Sequence, residues 1–280
     1  MQILNFKIIK QTTNDLSEIM DSNRANLNSL NHQDFHVPGL EIIKKIGEGG
    51  QASVYRAVYN SKFVCAKKYI RKGCFEKELK MLTAAQSSGC VPEIYGKFSN
   101  EGQYVILMEL IEGKNLEDLL NENPSNKLIH EITYKLFKAI KKLHSTRVIH
   151  NDLKLDNVMV ELRKSNCSVK IIDLGVATYH GESPYPGVPS EIFPKVPHLD
   201  PSLAMGGPCS AATDLYSLGR IMFNIQKYSK CKIYKKCQKR LYSHRSHRIS
   251  RKKLLERKCK VCTKNRKKLR VNADSTIELE

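Results

Sequence analysis

Two short segments hold the side chains best suited to chemistry. VIHNDLKLDNVMV brings Asp152, Lys154 and Asn157 together, and VKIIDLG adds a second carboxylate at Asp173. Upstream, IGEGGQASV sets Gly47, Gly49 and Ala52 ahead of Val54, and VCAKK sets Lys67 and Lys68 behind the small Ala66. Phosphoryl transfer asks for little covalent help from a protein. It needs a triphosphate held, its charge neutralised by metal, and the attacking hydroxyl oriented. Glycines in a turn let backbone N–H groups approach phosphate oxygens with no Cβ in the way. An Asp, a Lys, an Asn and a second Asp, in that order on loops and strand ends, make an improbable coincidence.

The patterning around these residues supplies the elements that must place them. LEIIKKIG reads as a strand entering the glycine turn, SVYRAVY as its return partner and KFVCAKKYI as a third strand. FEKELKMLTAA has helical spacing, with Phe75, Leu79 and Leu82 on one face. YVILMELI is a buried strand, NLEDLLNEN starts a helix, and EITYKLFKAIKKLHS is a long amphipathic helix with Ile132, Leu136, Ile140 and Leu143 in register. The strands NVMVEL and SVKIIDL follow, then a Pro/Gly-rich stretch over 181–208, then a buried helix in TDLYSLGRIMFNI. Strands first and helices after predict an α+β architecture, with a small β-rich lobe and a helical one.

These motifs resemble the protein-kinase family over about residues 40–226. The resemblance implies a two-lobed fold that binds ATP and Mg2+ and phosphorylates protein substrates. It makes Asp152 the residue that orients or accepts the substrate hydroxyl proton and Lys154 the cation beside the transferring phosphate. Asn157 and Asp173 become metal ligands, and His150 a packing residue. Gly47, Gly49, Ala52 and Val54 correspond to the phosphate-covering turn. Met108, Glu109 and Ile111 correspond to the strand end and hinge whose backbone holds adenine. Asp214 matches a buried helix carboxylate that braces the catalytic loop. Lys154 associates the chain with serine/threonine specificity.

Two lysines compete for the strand position that pairs with the phosphates. Lys68 is preferred, because Ala66 two residues earlier would lie on the same face, where an adenine must lie flat. Lys67 is held in reserve. Glu78, ten residues after Lys68, is the expected ion-pair partner.

The sequence also departs from the family. Ala52 stands for a third glycine and Leu174 for an aromatic residue after Asp173. Asn151 replaces the arginine that grips a phosphorylated loop. Asp200–Pro201–Ser202 stands where a glutamate is expected, and the helices that carry its arginine partner are not legible after about Gln226. These features predict a helical lobe truncated after the TDLYSLGRIMFNI helix.

Charge divides the chain again. Its net charge is +19, and residues 227–270 hold 20 Lys and Arg against Glu256 alone. Residues 1–226 are nearly neutral, with 27 bases against 24 acids. The expected organisation is a flexible arm at 1–36, a kinase-like domain at 37–226 (lobes 37–111 and 112–226) and a basic tail at 227–280. The tail suits an acidic partner or nucleic acid. Its Cys231, Cys237, His244, His247, Cys259 and Cys262 offer zinc-ligand types, but the lysines and arginines between them favour a solvated arm. No stretch approaches the length of a membrane span, no signal-peptide pattern is visible, and the nine cysteines lack a disulfide spacing. A cytoplasmic or nuclear protein with reduced thiols is expected. The alternative is a catalytically inactive nucleotide-binding scaffold with a basic nucleic-acid- or partner-binding tail.

Overall fold

A computed structural model describes residues 37–229 other than 101, 164–165, 186 and 188–194. The arm at 1–36, the tail beyond Ser229 and the zinc-ligand types within it lie outside the described residues. The chain divides into two compact units, residues 37–76 with Ile94–Leu110, and Lys77–Glu93 with the residues from Ile111 onward.

The first unit is a five-stranded antiparallel sheet in the order β1-β2-β3-β5-β4. Its strands are β1 (Leu40–Glu48), β2 (Ala52–Tyr59), β3 (Lys62–Tyr69), β4 (Ile94–Asn100) and β5 (Gln103–Glu109). Period-2 alternation sends Ala57, Val64, Ala66, Val105 and Leu107 into one cluster with Val37, flanked by Leu40, Tyr59 and Phe98. Tyr59 pairs with Lys62 across a two-residue turn. Asn60 and Ser61 there have φ of 49° and 59°, the turn geometry that matches the twist of the flanking strands. On the other face, Tyr69 meets Phe75 edge-on at 5.8 Å, and Phe75 meets Tyr104 at 5.9 Å.

Phe75 belongs to helix α1 (Lys72–Ala85), within which the chain passes from one unit to the next. Residues 77–93, read from the sequence as part of the β-rich lobe, pack with the second unit. Hydrogen bonds give the reason. The Ile171 N–H donates to Cys90 O (2.8 Å), Cys90 Sγ to Ala139 O (3.2 Å) and Lys170 Nζ to Val91 O (3.1 Å).

The second unit is mainly helical. Helix α2 (Leu116–Asn121) begins at Asn115, whose side chain accepts the Asp118 N–H at 2.8 Å. Helix α3 (Asn126–Ser145) starts earlier than the apolar spacing indicated, because Ser125 caps it by accepting the Leu128 N–H. It buries Ile129, Ile132, Leu136, Ile140 and Leu143. Each such side chain contributes roughly 1.5–3 kcal/mol relative to exposure. Strands β6 (Lys114–Asn115), β8 (Val158–Arg163) and β9 (Asn166–Ile171) form a small sheet, and β7 (Val148–Ile149) pairs with β10 (Thr178–Tyr179). Gly113 lies so close to β8 that a Cβ there would collide with the Val160 carbonyl. A short helix α4 (Pro201–Ala204) precedes α5 (Ala211–Tyr228). A Ser210/Thr213 capping box starts α5, which buries Asp214, Ser217, Leu218, Ile221, Met222 and Ile225. Among the described residues no helix is long and apolar enough to cross a membrane.

Candidate active site

In the first unit, the glycine turn is closed by the Gly49 N–H donating to Ala52 O at 2.9 Å, and the Ile70 N–H donates to Gln51 O at 3.0 Å. Gly47 stands opposite Val54 in the ladder. A Cβ at Gly49 would meet only Ala52 O, at 3.8 Å, and one at Gly50 would meet nothing within 4 Å. Ala52 points inward and is buried, so its methyl occupies space that a third glycine would leave empty.

The strand register divides the two lysines between the faces of the sheet. Val54 pairs with Lys67, Tyr55 with Ala66 and Ser53 with Lys68. On the other side of β3, Met108 pairs with Cys65 and Leu107 with Ala66. Directly opposed residues share a face. Val54, Cys65, Lys67 and Met108 therefore stand together, and Ala66 and Lys68 face the opposite way. Ala66 is part of the buried cluster with Val64 and Leu107. A one-residue shift in a period-2 pattern exchanges every face, and two adjacent lysines conceal the shift. Glu109 closes β5 opposite Val64.

In the second unit, Glu78 is 4% exposed, on the same side of α1 as Leu82. Ile111 accepts the Gly113 N–H at 2.9 Å. The loop after β7 turns sharply at Asn151, whose φ of 66° suits the short polar side chain. Extended backbone at Lys154 and a 3₁₀ turn at Leu155–Asn157 follow. Leu153 and Leu155 are buried while Asp152 and Lys154 are partly exposed. Asp152 Oδ2 receives Lys154 Nζ at 3.0 Å and Asn157 Nδ2 at 3.0 Å, and Asn157 Nδ2 also reaches Asp152 O at 2.8 Å. Asp152 Oδ1 receives His198 Nε2 at 2.8 Å. Burial alone would push the Asp152 carboxyl up, but the His198 hydrogen bond and the Lys154 charge outweigh it and bring it to about 2. Lys154 loses affinity for its proton through burial and regains more from Asp152, Asp156 and Asp173, so it is raised.

Beneath this loop sits the fully buried Asp214. Its Oδ2 accepts the His150 N–H (2.9 Å) and His144 Nε2 (2.8 Å), and its Oδ1 accepts the Asn151 N–H (2.9 Å). Burial pushes its carboxyl up, but the hydrogen bonds from His144 and the His150 N–H hold it below the usual carboxylate range. His150 is buried as well. Its Nε2 donates to Ile172 O (2.9 Å) and its Nδ1 accepts the Asp152 N–H (3.2 Å), which fixes its neutral tautomer.

Asn157 is 5% exposed, and with Nδ2 given to Asp152 its Oδ1 takes no hydrogen bond among the described residues. Asp173 is exposed and held at a φ of 63°, directly before the buried Leu174. An amide oxygen and a carboxylate are the hard donors Mg2+ accepts, so these residues fit that ion.

The segment after Asp173 is tied to the loop by neutral groups. Asn151 Nδ2 donates to Thr178 Oγ1 (2.9 Å) and Val176 O (3.2 Å), and Tyr185 OH donates to Asn151 O (3.3 Å). His144, Tyr185, His198 and Ser217 all enter the network without having been singled out in the sequence. Of these only Ser217 carried a signal, one turn from Asp214 on a helix face already read as buried.

The family model for the protein kinase domain matches residues 40–277. The chain is 29% identical over 198 residues to the probable serine/threonine-protein kinase PknB of Lactococcus lactis, covering 66% of this chain and 31% of that protein. It is 25% identical over 201 residues to the serine/threonine-protein kinase PrkC of Bacillus subtilis, covering 66% and 30%. It is 29% identical over 194 residues to the probable serine/threonine-protein kinase zyg-1 of Caenorhabditis elegans, covering 65% and 26%. The chain thus spans less than a third of the length of these relatives. With the family match running through nearly all of the sequence that follows the first strand's start, the chain belongs to the protein kinase domain family.

Proposed function

We propose that the chain is an ATP-dependent protein kinase that transfers the γ-phosphate to serine and threonine hydroxyls of proteins. The observation that carries this is Asp152, an ionised carboxylate fixed by Lys154 and Asn157 on a loop whose backbone Asp214 clamps. Asp152 accepts the hydroxyl's hydrogen bond and aims the oxygen. Lys154 places a cation beside that acceptor, where negative charge develops. Asn157 holds Asp152 with its Nδ2 and offers its Oδ1, with Asp173, to Mg2+. Bound Mg-ATP supplies the phosphoryl group and neutralises its charge. In the first unit, Gly47 and Gly49 hold phosphates, Val54 and Met108 border the adenine, and Lys67, on the face of Val54, pairs with the phosphates. The hinge backbone of Glu109 and Ile111 binds adenine. The kinase part begins at about 37 and runs through the end of α5, and the basic residues that follow it form a separate arm for an acidic partner or nucleic acid. The protein acts in the cytoplasm or nucleus.

The test is labelled phosphate transfer to a generic protein substrate by the wild type and Asp152→Asn. The wild type should label serine or threonine, and the variant should be slower on the order of a thousandfold. Mg-ATP should raise the melting temperature of both. A wild type that Mg-ATP does not stabilise ends the reading.

A further inference from the structure

His198 stands directly before the buried Leu199, and its ring reaches the oxygen of Asp152 that Lys154 and Asn157 leave alone. The Nε2–Oδ1 distance is 2.8 Å, and both side chains keep 20% of their surface exposed. An ionised carboxylate offers about four acceptor positions over its two oxygens. Oδ2 takes Lys154 and Asn157, each at 3.0 Å, whereas Oδ1 takes His198 alone. The acceptor position that remains lies on Oδ1, beside the imidazole.

The backbone of His198 is fixed as firmly as the loop opposite. Ser217 Oγ donates to His198 O at 2.6 Å from a buried place on α5. One turn earlier on the same helix, Asp214 takes the backbone N–H groups of His150 and Asn151, both at 2.9 Å. Residues three apart on a helix share a face. A single turn of α5 therefore anchors both partners, the loop through Asp214 and His198 through Ser217. Leu199 and Leu203 bury against Ile149 of β7 and hold the same segment from its other side.

We propose that His198 is the positioning residue of Asp152, holding Oδ1 so that the substrate hydroxyl can approach only beside the imidazole. This rests on the kinase reading above. A carboxylate held at one oxygen can still swing about its Cβ–Cγ bond, and one held at both cannot. Misplacement of a reacting group by about 1 Å is enough to cost a hundredfold in rate.

The experiment compares kcat, KM and melting temperature for the full-length wild type, Asp152→Asn, His198→Ala, His198→Phe and His198→Gln with a generic protein substrate. Glutamine carries an N–H at nearly the reach of Nε2, and phenylalanine keeps the ring without a donor. Ala and Phe should lower kcat by about ten- to a hundredfold at unchanged KM for ATP and unchanged melting temperature. Gln should stay within about threefold of the wild type, as expected when the donor alone matters. Added imidazole should restore part of the Ala loss. Equal losses in Phe and Gln, or no loss in Ala, overturn the proposal. A gain in Ala does so too, since His198 would then be a plug over Asp152. If the wild type and Asp152→Asn are equally inactive, it is the kinase reading that fails. An active wild type, an inactive Asp152→Asn and an unchanged His198→Ala remove only the positioning role. Should Ala and Phe melt more than about 5 °C early, proton NMR of the wild type decides. The His198 Nε2–H should be protected from exchange there and lose protection in Asp152→Ala, and a labile proton in both overturns the proposal.

Discussion

The two units place their candidate residues by different physics. In the first, position comes from strand register. Val54, Cys65, Lys67 and Met108 share a face because ladder hydrogen bonds align them, and the glycine turn beside them is held by backbone bonds at Gly49 and Gln51. In the second, position comes from buried polar groups, each with named partners: Asp214 on two backbone N–H groups and His144, Asn157 on Asp152, and Asn151 on Thr178. A register is an all-or-none property, which a slip of one residue reverses throughout. A polar network is local, and losing one member leaves a buried group unsatisfied. The loop of the second unit is thus fixed by its own buried polar groups, whereas the glycine turn is exposed and held by backbone bonds alone.

The register half of this contrast makes the largest prediction. Lys67→Met should lower kcat/KM by about a hundredfold or more, and Lys68→Met by only a few-fold. Equal losses in a steady-state assay would mean that the shared face of Val54 and Lys67 does not receive the nucleotide. A pair of glycines sharpens the contrast between tight and open regions. Gly113→Ala should destabilise by about 2–3 kcal/mol, because its Cβ meets β8 backbone. Gly50→Ala should stay within about 0.5 kcal/mol. Urea unfolding reads both, and a tolerated Gly113→Ala would contradict the close approach.

The polar half predicts an acid dependence. Asp152 and Asp214 titrate below the ordinary carboxylate range when folded, Asp152 at about 2. The unfolded chain binds these protons first as pH falls. Their stabilisation is therefore complete above about pH 5 and is lost as pH drops through the folded values. The melting temperature should decline over that window, and more shallowly in Asp214→Asn at matched starting stability. Parallel curves would remove these carboxylates from the account. The smallest expected effect is none at all. Asn151 ties the loop to Val176 and Thr178 through neutral hydrogen bonds, where an arginine would offer a charge to a phosphate. Phosphatase treatment should leave activity within error, and a preparation silenced by it would show that phosphorylation orders the segment.

Much of the fold was legible because the chain is locally consistent. Alternation in KFVCAKKYI, the spacing of Ile132, Leu136, Ile140 and Leu143, and the cluster Asp152–Lys154–Asn157 need only neighbours in sequence. The helix start at Ser125 and the allegiance of residues 77–93 were less visible. The first depends on a cap outside the apolar pattern, and the second on bonds from Cys90 and Val91 to residues some eighty positions away.

By itself, the sequence determined which chemical groups the protein carries and on which kinds of element, since types and short spacings are local properties. It determined as well that charge is concentrated in the tail. Only the tertiary structure set Lys67 beside Val54 and Met108 and Lys68 on the face of Ala66, because the face of a strand is set by its partners across the ladder. Tertiary structure alone brought His198 onto Asp152 and Ser217 onto His198, across 46 and 19 residues of chain. No local pattern encodes such contacts. They exist because α5 fixes two distant segments at once, and a hydrogen bond of 2.8 Å depends on both being held.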